Sequence, residues 1–341
     1  MPGEDILYDN SAKPLEKRRL GTTKLKVTTL GVGSASLAGN MAAVPEAEAR
    51  PVVSVAYETG VNYFDTAPYY GFGKAEHFVG DALRGKKNFV LSTKVGRVLV
   101  PAHGKWAVKH NWKDPFPFDQ IYDFGYDAIM RSFEDSLQRL GLDRVDILFV
   151  HDLGDVGHGT TDEKYWRQLK TGGYKALNKL KKEGVISAIG LGSNEWAIQQ
   201  RAMGMGDWDV MLLAGRYTLL EQGSLSPFLD LCLKRKTSIV CGGPFNSGIL
   251  AGGMTWNYAR APKKVVEKVM AIEAVCREHN VPLPAAALQF PLKHKAIASV
   301  LPGPRTPTEF NQIWDWWRLD IPKELWSTLR SKGLIDPKAP I

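Results

Sequence analysis

The sequence predicts an α/β chain built as one parallel-sheet domain, and a closed (β/α)8 barrel of the TIM type fits its count of units. Three observations carry that expectation. Short apolar, β-rich runs recur eight times along the 341 residues. Segments with helical periodicity separate them, and no composition break, linker, internal repeat or low-complexity tract interrupts the alternation. A doubly wound open sheet is the alternative. It usually carries G-x-G-x-x-G after its first strand, and "GVGSASLAG" (31–39) has glycines without that spacing.

The elements follow in order. Residues 1–14 read as a polar tail, 15–335 as the single barrel domain and 336–341 as a short C-terminal tail. The stretch "EKRRLGTTKLKVT" (16–28) predicts a small hairpin turning at Gly21 and Thr22, too short for the main sheet and suited to cap one end of it. The strand runs are 27–33, 61–65, 89–94, 145–151, 185–192, 210–213, 238–242 and 297–301; several are apolar throughout, as strands covered on both faces should be. Between them, 45–59 begins with Pro and ends at Gly60. Tyr126–Leu140 puts Ile129, Met130, Phe133, Leu137 and Leu140 on one face and stops at Gly141. The segments 165–183 and 263–279 are further helices, and 308–317 and 323–332 add two extra helices after the last strand.

The totals exclude several functions. The chain is 44% hydrophobic, yet no run of about 18 apolar residues predicts a membrane span. The N-terminus lacks the basic and apolar regions of a secretory signal. Cys232, Cys241 and Cys276 are too scattered for a disulfide framework or a metal cage and read as buried apolar groups in a reducing compartment, so a cytoplasmic protein is expected. The net charge is +8, with the basic clusters at 179–182 and 234–236 closing helical patterns, where cations complement the dipole. That placement argues against nucleic-acid binding, and the mild excess suits a small anionic ligand. Oligomeric state is not legible.

In a (β/α)8 barrel the site is built at the C-terminal ends of the strands. The second run ends in Asp65, the third in Lys94 and the fourth in His151, and the fifth is followed by Ser193 and Asn194. Solvation explains one such charge; three in register point to function. The stretch "NYFDTAPYYG" (62–71) adds adjacent tyrosines to Asp65. A phenol titrates near 10, and a nearby ammonium is expected to lower that value, with a carboxylate orienting the lysine. Such a tyrosine can give a proton to, or take one from, an oxygen whose charge changes. This suits hydride transfer at a carbonyl carbon, without metal or covalent nucleophile. The hydride then needs a cofactor, since no side chain donates one.

The strings "DTAPYYG", "STKVG", "SLQRLGLDRVDILFVHD" and "GLGSNEW" resemble the aldo-keto reductases over nearly the whole chain, from Arg19 to the helix after Pro302. That resemblance implies a (β/α)8 barrel holding NAD or NADP across its strand ends, and a tetrad of Asp65, Tyr70, Lys94 and His151. Tyr70 takes the proton-donor position, and Tyr69 is left as wall or packing. The resemblance further implies Gly33, Ser193 and Asn194 at the nicotinamide side. It places Pro244, Phe245, Asn246, Ser247, Gly248 and Leu250 along the pyrophosphate, and Gly303, Arg305, Glu309 and Gln312 at the adenosine. Backbone N–H groups of 244–253 and the Ser247 hydroxyl are the expected phosphate donors. The chain departs from the family at Gly242, where many members stack an aromatic ring, and at Ala214, where many carry glutamine. Arg216, Tyr217 and Phe245 are candidates to compensate. Arg305 favours NADP and Glu309 favours NAD.

The loop 96–119 is long and aromatic, as loops with a function often are. Trp106 and Trp112 either cover a substrate or pack the loop, and Tyr217 is either a substrate contact or rim packing. Asp155 and His158, in "DLGDVGHGT", lack a further metal ligand. The strings "GGPFNSGIL" and "LLAGRYTLLEQ" are similar to the bacterial branch of aldose 1-dehydrogenases and pyridoxal 4-dehydrogenases, which oxidise a cyclic hemiacetal or an alcohol. The implied activity is therefore oxidation or reduction of a sugar-like carbonyl. The alternatives are an NADPH-dependent reductase of sugar or general aldehydes, and a cofactor-binding channel subunit.

Overall fold

The computed structural model describes residues 15–106, 110–159 and 162–341; the predicted tail at 1–14 lies outside them. Eight strands form one parallel sheet in the chain order Val32–Gly33, Tyr63–Asp65, Val90–Val95, Ile147–His151, Ala188–Ser193, Val210–Ala214, Ser238–Gly242 and Ile297–Leu301. A parallel bridge from Leu30 to Val300 joins first to last, with Gly31 and Val300 donating N–H groups to Val300 and Thr29 at 2.9 Å, so the sheet closes as a barrel. Helices follow the strands and cover the outside.

The first apolar run breaks where one strand was expected over 27–33. Lys26–Thr28 instead pairs antiparallel with Lys17–Arg19, and only Val32–Gly33 joins the barrel. Between them the Thr28 hydroxyl donates to Leu30 O at 2.6 Å, and Thr28 N donates to the Asn62 side chain at 2.7 Å. The hairpin turns at Gly21, whose φ of 52° suits glycine and whose N–H donates to Ser238 Oγ at 2.7 Å. The fifth strand starts at Ala188, later than 185, because Val185 and Ile186 give their N–H groups to Leu180 O and close the preceding helix. The helix expected over 45–59 is divided at Pro51. After the eighth strand come Pro307–Arg318 and Lys323–Ser331, close to expectation.

Two apolar layers hold the fold together. Inside the barrel, Leu20 and Val27 of the hairpin meet Tyr63, Val90, Ile147, Phe149, Val210, Leu212 and Val240. A larger layer packs strands against helices. The three cysteines are free and buried there, and burial pushes the Cys232 and Cys276 thiols up to about 12. The loop after the third strand is an ordered hairpin of Arg97–Pro101 and Phe118–Tyr122. It leaves the barrel through Gly96 at φ 99°, where any Cβ would sit 2.2 Å from the Phe124 ring.

Candidate active site

Parallel register brings the strand C-termini to one rim: Asp65 faces Ser92, Lys94 faces Phe149 and His151 faces Gly192. Lys94 Nζ donates to Asp65 Oδ2 at 2.6 Å and to Thr66 O at 2.9 Å, while Ser92 Oγ donates to Asp65 Oδ1 at 2.7 Å. Both charges are almost wholly buried, a placement tolerated only because each is paired and hydrogen-bonded. The same ammonium lies 4.6 Å from the Tyr70 ring centroid. Tyr70 reaches it from the turn after the second strand, and its ring meets His151 edge-on at 5.8 Å.

The protonation states follow from burial. Burial holds the Asp65 carboxyl above its usual value, opposed by the Lys94 ammonium. It drives the His151 imidazole well below its usual value, helped by Arg97 and Lys94, so the ring is neutral at pH 7. The Tyr70 phenol was expected to be lowered by Lys94, and here it stands well above its ordinary value. Burial dominates, the carboxylates of Asp65 and Asp152 add to it, and Arg97 opposes. Lys94 directs its N–H groups at Asp65 and Thr66 and meets the face of the phenol ring. In this state the Tyr70 phenol keeps its proton.

Several residues expected around a dinucleotide stand at or just after the strand C-termini. A Cβ added at Gly33, Gly215 or Gly243 would meet its nearest neighbour at 3.7, 3.6 and 3.9 Å, ordinary van der Waals contact. His151 Nδ1, Asn246 Oδ1 and Arg97 Nε are buried and lack a hydrogen-bond partner among the described residues. These unpartnered atoms fit a bound polar group. Ser193 Oγ accepts from Glu195 N, and Asn194 Nδ2 donates to Ala214 O at 3.2 Å. Arg216, expected to compensate at the nicotinamide, donates to Asn194 O at 3.0 Å and to Asn257 and Glu221.

The seventh-strand loop corrects part of the expectation. Pro244 and Leu250 are buried, with Leu250 in the core, and Phe245 packs edge-on against Trp316. The N–H groups of Asn246, Gly248 and Leu250 are spent on Gly243 and Phe245 carbonyls, and Ser247 Oγ accepts from Tyr258 N. The loop thus offers a phosphate fewer backbone donors than expected. At the adenosine end Gly303, Arg305 and Gln312 are exposed. Arg305 and Glu309 pair with each other at 2.8 Å, and Glu309 also accepts from Arg305 N.

Tyr217 is corrected to a core residue. It is fully buried against Phe290 and His294 at 5.6 and 5.5 Å, and does not face the mouth. Trp106 is 41% exposed and donates to Phe118 O, which places it on the outside of its hairpin. Trp112 packs at the mouth, 5.2 Å from the Tyr69 ring and 5.8 Å from Tyr70. Among the described residues no cluster of three or more His, Cys, Asp or Glu can hold a metal; His158 contacts Asp152 O and packs on Tyr122 and Tyr165.

The sequence reading missed four residues. A buried Arg97 and a half-exposed Asp152 form an ion pair beside His151. The signal for both lay in sequence, since one follows "STKVG" and the other follows the histidine itself. Tyr258 sits on a small hairpin, Thr255–Trp256 with Ala259–Arg260, and its hydroxyl reaches Asn194. Glu221 gathers Arg216, Asn246 and Trp256, tying the loops after the sixth and seventh strands together. No local pattern marks these last two, because their partners are remote in the chain.

Comparison with known proteins gives a consistent result. Residues 29–333 match the sequence model of the Aldo/keto reductase family. The chain is 44% identical to a pyridoxal 4-dehydrogenase of Microbacterium luteolum, covering 95% of this chain and 99% of that one. It is 36% identical to a D-threo-aldose 1-dehydrogenase of a Pseudomonas species, covering 91% and 95%. Among solved structures, an aldo-keto reductase of Bacillus halodurans superposes with a TM-score of 0.71 at 24% identity, covering 94% and 97%, a likeness of fold.

Proposed function

The chain belongs to the aldo/keto reductase family, and from that premise we propose that it interconverts a sugar-like carbonyl or hemiacetal with the corresponding alcohol or lactone, using Tyr70 as the acid–base group. The observation that carries this reading is the buried Asp65–Lys94 pair set under the Tyr70 ring, with a neutral His151 beside it. Ser193, Asn194 and the loop after the seventh strand would hold a nicotinamide dinucleotide along the rim, and that cofactor would supply or accept the hydride. The Tyr70 hydroxyl passes a proton to the substrate oxygen in reduction, and in oxidation its phenolate takes that proton back. The neutral imidazole of His151 donates a hydrogen bond to that oxygen and fixes its place. Lys94 and Asp65 hold the phenol's surroundings polar within an otherwise apolar wall.

The oxidative direction is favoured by the two relatives, both named as dehydrogenases. NAD is favoured over NADP, because Arg305, the cation expected at the adenosine, is already spent on Glu309. Removing the phenol hydroxyl tests the assignment. Tyr70→Phe should still quench its tryptophan fluorescence on binding cofactor while kcat falls by about 10²–10⁴-fold. Turnover within threefold of the parent would overturn the role of Tyr70.

A further inference from the structure

Asp152 is held in place more firmly than its position on a loop requires. Its φ is +47°, in the left-handed region that Asp and Asn tolerate better than most residues. Its N–H donates to Gly192 O at 2.9 Å, its carbonyl lies 2.7 Å from His158 Nε2, and its carboxylate takes the Arg97 guanidinium. Arg97 is itself fixed, 4.0 Å over the Tyr69 ring and bonded to Gln120 at 3.1 Å. A strained backbone held by several bonds at once is the signature of a side chain aimed for a purpose.

The direction of aim is the mouth. Asp152 Oδ2 stands 3.5 Å from His151 Nε2, and the Asp152 side chain keeps 31% of its surface exposed, against 7% for Arg97. An oxygen bonded to His151 therefore lies beside a carboxylate able to accept one further hydrogen bond. Vicinal oxygens on a ring sit about as far apart as two hydrogen-bonded atoms, which matches this spacing. The Arg97 charge balances the carboxylate, so the pair suits a neutral hydroxylated molecule, while an anionic one would meet Asp152. Trp112 and Tyr69 supply an apolar wall next to it.

Building on the dehydrogenase reading, we propose that Asp152, positioned by Arg97, accepts a hydrogen bond from a hydroxyl adjacent to the reacting carbon, and so selects hydroxy-carbonyl compounds and their cyclic hemiacetals. A 2-hydroxyl of an aldose and an ortho-hydroxyl of an aromatic aldehyde present the same donor at the same place.

The test compares paired substrates: an aldose with its 2-deoxy analogue, and 2-hydroxybenzaldehyde with benzaldehyde, each with its matching cofactor redox state. The parent enzyme should favour the hydroxylated partner by a hundredfold or more in kcat/KM, as a site built to bond a hydroxyl does. Asp152→Gly, which keeps the left-handed backbone, should narrow that ratio at least tenfold. Asp152→Asn, isosteric and uncharged, should narrow it by a smaller factor, and Arg97→Lys should retain it. A parent ratio below threefold overturns the inference. So does an equal loss on both partners in the variants, which is what a purely structural role would produce. A parent that turns over none of the four compounds with either dinucleotide brings down the dehydrogenase reading along with it.

Discussion

Tyr70 and Tyr69 differ by one position and by everything in their surroundings. Tyr70 faces the Lys94 ammonium and the edge of His151, whereas Tyr69 lies under Arg97 and against Trp112. The motif string points to Tyr70 rather than Tyr69, because four residues separate it from the strand-ending Asp65. Its protonation was not legible, since burial and distant carboxylates outweigh the one lysine visible in the pattern. His151 carries a pH signature of its own. Its folded value lies below the unfolded value of about 6.5, so between the two only the unfolded chain takes up a proton. Stability is fully present above pH 6.5 and is lost as pH falls below it. Imidazole resonances of His151 should stay at their neutral positions through pH 6.5, and the slope of unfolding free energy from pH 6.5 to 5.5 should be shallower in His151→Gln. A His151 that titrates at 6.5 would remove the basis for its role as a neutral donor.

At the level of elements, the helix Pro307–Arg318 shows how a cap and an ion pair share residues. Thr306 Oγ1 accepts from Glu309 N, Glu309 accepts from Arg305 N, and the same carboxylate neutralises the Arg305 guanidinium. The sequence placed both residues at the adenosine and left them as rivals; only the folded cap shows them as partners. Glu309→Ala frees Arg305 and should lower the NAD-over-NADP preference in kcat/KM by about tenfold, an ion-pair-sized change of ~1.4 kcal/mol. An unchanged preference would mean that Arg305 does not meet the ribose. The hairpin after the third strand was expected as a loop because its pairing, Arg97 with Tyr122 through Pro101 with Phe118, joins residues far apart in the chain. Local β-propensity in "RVLVP" and "FDQIY" is compatible with it and does not specify the register.

For the whole molecule, the alternation of runs predicted eight units, and eight parallel strands form the barrel. What the pattern could not give was where the circle shuts. The first strand has only two residues, and closure depends on single bonds at Leu30, Gly31 and Val300 and on the hairpin beneath. Arg18 of that hairpin donates to Leu292 O and Ile297 O at 3.0 and 2.8 Å, and Leu20 is fully buried in the barrel interior. Leu20→Ala should therefore cost about 2–5 kcal/mol in denaturant unfolding, with KM for cofactor unchanged, since the plug lies at the end of the barrel opposite the rim. A raised KM would show that the two ends are coupled.

Closure also governs how copies of the chain can meet in a crowded solution. A sheet joined to itself offers no long row of free N–H and C=O groups on which another chain can template. The strand edges left over among the described residues belong to separate hairpins: the short ones, such as Lys17–Arg19 and Ala259–Arg260, carry positive charge, and the pair Arg97–Pro101 and Phe118–Tyr122 has five residues to a strand. The short basic edges repel their own kind. Association by strand addition is thereby discouraged along the barrel and at those hairpins, which leaves the longer hairpin beside the mouth as the place where it can start.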